Sequence, residues 1–433
     1  MARGAFLCQK AGTDPVDKGR VAMKSVRGIR LGVGVAAVMT VALAVGRWEP
    51  VAAGGPAGGG YRVLRPIESG DLTLFPVVRD DGKSLPSDQF LTLDEGLKSG
   101  EVEVTEAGKV RGLVRSRSGV PVQRYEGDQV NTLVLVNNSK RPLLLLAGEI
   151  VTGGKQDRII AKDRIVPVGA EPIDLSVFCI EHGRWTESSD KFGSSAKAAS
   201  QSIMVQPTVR QQAMVAKDQQ QVWDSVSGAI SSMAKAAPPP VGTPRPDSAS
   251  GVYSGTGSTN LNENYLGGRS LGTTSYAKAV QSQAVAAKVD EEAAGVAKSR
   301  EEALETLRQE HAVGVVVAVR GEVIWADIFS DSGLLTRYWT KLVRSYAAEG
   351  LESGTAHGSA SMADAQRFLD IPTHGTEDSQ GEVGVYRCRE VKAGGTDLFT
   401  LEALLPGTGY DVHISRVKLR GAAGFVGAPR PVD

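Results

Sequence analysis

The chain has 433 residues, enough to bury one or two hydrophobic cores, and its 51 glycines and 5% aromatic content point to long flexible stretches beside a folded part. Its 49 basic and 49 acidic residues cancel; without residues 1–53, which hold eight basic and three acidic residues, the balance is 41 − 46 = −5. No global basic field remains for a phosphate backbone, so no nucleic-acid partner is expected.

Residues 31–45 are uncharged and follow Lys24, Arg27 and Arg30. This run suits the core of a signal peptide and is short for a spanning helix of about 20 residues, and its positive flank is the end the cytoplasm retains. Met23 opens a more conventional leader than Met1, and Val51-Ala52-Ala53 offers small residues for cleavage. Residues 1–53 are thus read as an extension plus either a cleaved signal peptide or an uncleaved anchor. Either form exports the rest to the periplasm or the extracellular space and leaves no other membrane contact. Cys179 and Cys388 then either oxidise to a pair or stay as two lone thiols.

After a Gly/Ala/Pro linker at 54–60, the pattern turns to short strands. Residues 71–78 alternate, Thr92 caps a short helix that Gly100 stops, and strand-like runs follow at 101–106, 110–115, 130–136, 141–151, 156–161 and 172–181. From about 187 the composition becomes polar and helical. A helix is expected from Thr208 to about Met233 and a low-complexity linker at 238–274. A second helix, from Tyr276 to Gln309, reads as a packing or solvent-bridging element rather than a core one. Strands resume at 313–319 and 322–329 around an Arg320-Gly321 hairpin. A helix capped by Ser330 or Asp331 comes next, and then strands at 382–390, 396–405 and 411–420. The fold class expected is α+β and predominantly β: a single β-sandwich or barrel-like domain, 61–186 plus 311–433, split by a long helical, partly disordered insertion at 187–310.

Phosphate-loop, dinucleotide, nucleophile-elbow and zinc motifs are all missing, and His182, His311, His357, His374 and His413 show no ligand spacing, so no metal or cofactor is expected. Two polar clusters stand out. In the first, Glu149 ends an apolar strand and faces Lys155, Gln156, Asp157 and Arg158 across the Gly153-Gly154 turn; a carboxylate so placed needs a partner, and Arg158 or Lys155 is the nearest in sequence. In the second, Glu181 shares the inward face of its strand with Leu175 and Cys179, His182 points the other way, and Arg184 and Trp185 follow. The clusters either form ion pairs that fix a turn and a strand end, or converge on an anionic or sugar-like ligand, with arginine forks for oxyanions and a tryptophan face for stacking.

The segments LLLLAGEIVTGGKQDRIIAKDRIVPVG, PIDLSVFCIEHGRW and VVVAVRGEVIWADIFSDSGLLTRYWTKLVRSYAAEG, at about 62–186 and 312–352, resemble the ARG and rhodanese-phosphatase-superfamily-associated domain, a bacterial family of unknown function. The resemblance implies proximity to ADP-ribose, nucleotide or phosphate chemistry by association and carries over no catalytic residues. It joins Glu149, Lys155, Gln156, Asp157, Arg158, Glu181, Arg184, Trp185 and Asp327 as one candidate set. The function expected is an exported module that binds an anionic small molecule or an envelope protein. The alternative is a hydrolase of a phosphorylated, ADP-ribose-like or glycosidic molecule, with Glu149 and Glu181 as acid and base and Arg158 and Arg184 as clamps.

Overall fold

The computed structural model describes residues 60–106, 132–184, 186–194, 203–237, 271–293, 307–352, 358–371, 375–393 and 395–419. The leader at 1–53, most of the 54–60 and 238–274 linkers, the strand expected at 110–115 and Trp185 lie outside these residues. None of the described helices is long and apolar enough to cross a membrane.

The chain opens with β1 (Tyr61–Val63), β2 (Ile67–Ser69), β3 (Leu72–Arg79) and the short β4 (Leu91–Thr92). Helix α1 (Leu93–Ser99) begins where expected, because Thr92 accepts from the Glu95 N–H while the Glu95 side chain accepts from the Thr92 N–H; Gly100, at φ 73°, ends it. The next strands are β5 (Val102–Glu106), β6 (Thr132–Asn137), β7 (Leu143–Leu145), β8 (Ile150–Thr152), β9 (Arg158–Ile160), β10 (Arg164–Val166), β11 (Ile173–Cys179) and β12 (Lys191–Ser194). Six of them close a barrel in the order β11-β6-β5-β12-β8-β9, and β10-β7-β4 form a small separate sheet. The barrel is filled by Val104, Leu133, Leu135, Val151, Ile160, Leu175 and Phe192.

The insertion supplies α2 (Pro207–Gln211), a π-helical turn (Gln212–Ala216), α3 (Gln219–Ala236), α4 (Tyr276–Gln281) and α5 (Gln283–Glu292). One helix was expected from Thr208; the chain instead breaks at Lys217, which is left-handed, and restarts with Asp218 as the cap of α3. Of the second helix, 294–306 lie outside the described residues; its described part, α4 and α5, packs into the core and is not a solvent bridge. Tyr276, Ala279, Val285 and Val289 are fully buried, in one apolar cluster with Val222, Val226 and Met233 of α3 and with Leu72, Trp325, Trp339 and Tyr346 of the flanking parts. Small residues on its inner face allow close approach, and period alone does not reveal whether a second layer covers such a face.

The flanking part continues with β13 (Gly314–Val319), β14 (Glu322–Phe329), α6 (Ser332–Gly350, capped by Asp331), α7 (Met362–Leu369), β15 (Thr376–Glu382), β16 (Tyr386–Ala393), β17 (Thr396–Ala403) and β18 (Tyr410–Lys418). A nine-stranded sheet runs β1-β3-β13-β14-β18-β17-β16-β15, with β2 also on β3. The hairpin between β13 and β14 has positive φ at both Arg320 (51°) and Gly321 (80°), the geometry that matches strand twist. The expected inside–outside alternation of β3 does not hold: Leu72 through Val78 are all buried. The reason is that the sheet is covered twice, by the main cluster on the side of Leu72 and Leu74 and by α7 on the side of Phe75 and Val77.

Candidate functional site

The turn between β8 and β9 needs its two glycines. Gly153 (φ 139°) and Gly154 (φ 50°) are left-handed, and a Cβ on Gly154 would lie 2.3 Å from the Phe192 ring. The tight turn sends the Gly153 N–H to Asp157 Oδ1 (3.1 Å) and the Lys155 N–H to Glu106 Oε1 (2.9 Å). Arg184 closes the cluster: it sits 2.6 Å from Glu181 and 3.5 Å from Asp157, and donates to the Gly154 carbonyl at 2.8 Å. The insertion adds two groups, Ser275 donating to Asp157 (2.7 Å) and Lys278 paired with Glu181 (3.1 Å). Burial raises the Asp157 carboxyl; burial acts the same way on Glu181, but Arg184 and Lys278 outweigh it and hold Glu181 below its ordinary range.

Arg158 and Gln156 are wholly buried here. Arg158 donates to the Gln156 carbonyl at 2.6 Å, while the Gln156 side-chain amide makes no hydrogen bond among the described residues. The structure thus brings Lys155, Gln156, Asp157, Arg158, Glu181 and Arg184 to one end of the barrel, with Glu181 inward and His182 exposed as expected.

Glu149 and Asp327 belong to other networks. Glu149 takes Lys341 of α6 at 2.7 Å in place of the expected Arg158 or Lys155, and accepts from the Leu146 N–H. Lys341 also pairs with Asp94 at the start of α1. Burial would lower the Lys341 ammonium, but Asp94 and Glu149 outweigh it and raise it. Among the described residues Glu149 and Glu181 share no partner: Lys341 holds the first, Arg184 and Lys278 the second.

Asp327 on β14 is fully buried beside Ser415 of β18, its register partner. It accepts from Arg210 of α2 (2.8 Å), Tyr346 of α6 (2.5 Å) and Ser415 (2.8 Å), and meets His413 Nε2 at 3.1 Å. The other ring nitrogen, His413 Nδ1, lies 2.6 Å from Asp163. Burial would lower the His413 pKa, but Asp163 and Asp327 outweigh it and raise it to about 9; the ring is an imidazolium between two carboxylates.

Asp163 leads out of this chain into a cavity of about 270 Å³. Its floor is one face of the outer strands, where Asp378 and Gln380 of β15 lie opposite Glu390 and Cys388 of β16, and Phe399 of β17 lies opposite Glu390. The roof is Ala213 and Met214 of the π-helical turn with Lys217; the barrel contributes Ser176 and Phe178, and the β9–β10 connection Lys162 and Asp163. Lys217 closes the π-turn with φ 54° and donates its N–H to Gln212. Both features are unfavourable and are kept where the surroundings enforce them, commonly at functional sites. Of the cations lining the cavity, Lys217 pairs with Glu390 (2.6 Å) and Arg389 with Asp411 (3.7 Å), while Lys162 has no ion pair among the described residues. Cys179 and Cys388 are not joined by a disulfide. Burial pushes Cys388, on the cavity floor, up to about 12, so it is not a thiolate at neutral pH.

Sequence reasoning missed Asp163, Arg210, Lys341 and His413. One of them carried a signal: Lys341 falls three residues after Tyr338 and four before Ser345 on the buried face of α6, whereas His413 shares its strand phase with the polar Asp411 and Ser415.

A sequence model of the ARG and Rhodanese-Phosphatase-superfamily-associated Protein domain matches residues 60–417. The chain belongs to this family. The match spans the barrel, the insertion and the large sheet, so the family's domain includes both polar clusters and the cavity. No curated protein and no solved structure matches the chain.

Proposed function

We propose that this chain is an exported small-molecule-binding module whose ligand occupies the cavity under the π-helical turn. The observation that carries the reading is the coincidence of the cavity with the π-turn and the left-handed Lys217. A largely apolar pocket with a few convergent polar groups is the usual form of a ligand site. Phe178, Met214 and Phe399 suit an apolar body, and Lys162 suits an anionic group. The apolar faces of the insertion helices are spent inside the domain, which favours a small ligand over a partner protein. Export rests on residues 1–53; fused to alkaline phosphatase, that segment is expected to give activity outside the cytoplasm, and activity confined to the cytosol would refute it.

The binding reading is tested by thermal shift of the purified protein against small amphipathic anions. A ligand at about a hundred times its dissociation constant stabilises by about 2.7 kcal/mol. Such a shift is expected to vanish in Ala213→Trp, which fills the roof of the cavity, and to weaken in Lys162→Met. A shift that survives Ala213→Trp but is lost in Arg184→Ala would move the site to the barrel end.

A further inference from the structure

We infer that His413, from behind the cavity wall, sets the charge that the cavity shows its ligand: protonated, it cancels Asp163 and leaves the ammonium of Lys162 to hold an anion, and on losing its proton it turns the cavity against anions. The inference rests on the cavity reading and adds the regulation of that site. Lys162 and Asp163 are neighbours in sequence and both line the cavity. A bare carboxylate beside that ammonium would cancel it. Asp163 is not bare: its Oδ1 accepts from the Ala147 N–H at 2.7 Å, and its Oδ2 lies 2.6 Å from His413 Nδ1. The charge of Asp163 is felt inside the cavity. The Cys388 thiol on the floor donates to the Asp163 carbonyl at 3.3 Å; burial pushes that thiol up, and the Asp163 carboxylate adds to the rise. The other charged lining residues are matched or lie at the rim: Lys217 pairs with Glu390, Arg389 with Asp411, and Asp378 belongs to β15, whose residues are all exposed.

His413 is fully buried, and its neighbours come from several elements. Asp163 of the β9–β10 connection and Asp327 of β14 flank its two ring nitrogens. The Phe329 ring of β14 lies 4.7 Å away, and Leu401 of β17 is the register partner. Arg210 of α2, Tyr346 of α6 and Ser415 of β18 reach Asp327 from its far side. Arg210 thus serves Asp327, and among the described residues His413 is the one cation paired with Asp163. The two carboxylates outweigh burial and hold the ring proton up to about 9, so the pair is neutral below that pH and carries the bare Asp163 charge above it. One unit charge acting over several ångströms at the effective dielectric of a protein changes the occupancy of a nearby ion by about tenfold.

The test reads the cavity's charge through Cys388, in the full chain with Cys8→Ser and Cys179→Ser as background. The thiol is labelled with an anionic methanethiosulfonate, the 2-sulfonatoethyl reagent, and with a cationic one, the 2-(trimethylammonio)ethyl reagent. The ratio of the two rates cancels any change in the reactivity of the thiol itself. At about pH 6, His413→Asn is expected to lower the anion-to-cation ratio by about tenfold, Asp163→Asn to raise it, and the double variant to return to within about twofold of the background chain. Between about pH 6 and about pH 10 the ratio should fall further in the background chain than in His413→Asn, where this group no longer titrates. A merely structural role does not give this pattern, since loosening moves the ratio toward that of a free thiol in every variant. Equal ratios in the background chain and both single variants would overturn the inference, while labelling that Ala213→Trp slows would keep the cavity reading. If neither reagent reaches Cys388 in the folded background chain, the cavity reading fails and the inference with it.

Discussion

Asp327→Ala is expected to lower the unfolding free energy by about 3–5 kcal/mol, the range for stripping one partner from a buried ion pair. Arg210 is 1% exposed and among the described residues would keep only Ser415 Oγ at 3.3 Å and the Trp325 ring, whose centroid lies 4.7 Å away. The His413 imidazolium would lose one of its two carboxylates at the same time. Burial alone would raise the Asp327 carboxyl, but Arg210 and His413 outweigh it and hold it far below its ordinary value, so the charge is present at all working pH values. Because Arg210 lies on α2 and Asp327 on β14, the loss also loosens the insertion from the sheet. Urea denaturation measures it. A loss under about 1 kcal/mol would mean that water reaches the pair. Replacing both partners, Arg210→Met with Asp327→Leu, is expected to recover only part of the loss: the guanidinium no longer lies buried without its carboxylate, but His413, Tyr346 and Ser415 still lose Asp327 as an acceptor.

Stability is expected to fall on the alkaline side by about 3 kcal/mol through His413 alone, from its rise above the ordinary 6.5 to about 9. The sign follows from the direction. The folded protein holds this proton more tightly than the unfolded chain, so the contribution is complete below about pH 6.5 and is lost as pH rises through about 9. Urea midpoints at about pH 6 and about pH 10 are the measurement, with His413→Asn as the reference for every other group that titrates between them. Wild type should lose more than the variant over this interval. Equal losses would show that the ring is neutral in the folded state.

Legibility differed between elements for identifiable reasons. The start and stop of α1, the hairpin at Arg320-Gly321 and the Asp331 cap of α6 could be read because each depends on residues within a few positions of one another. β15 could not: all seven residues of TEDSQGE are exposed, so no apolar alternation marks the strand, and only its pairing with β16 makes it one. The break at Lys217 was hidden for a related reason, since the apolar spacing continues across it while the backbone turns left-handed to wall the cavity.

The candidate site divides the same way. Asp157, Arg158, Glu181 and Arg184 could be grouped from sequence because β9 and β11 are neighbours and Arg184 follows Glu181 by three residues. That Glu149 and Asp327 are buried also followed from the apolar runs around them. Which cations meet them did not. Glu149 is matched by Lys341, 192 positions away, Asp327 by Arg210, 117 positions away, and Asp163 by His413, 250 positions away. Local pattern sets where a charge is buried, and burial requires a partner. Among many possible partners, the choice is made by which helix packs over which strand end, and that is decided only when the insertion folds into the core.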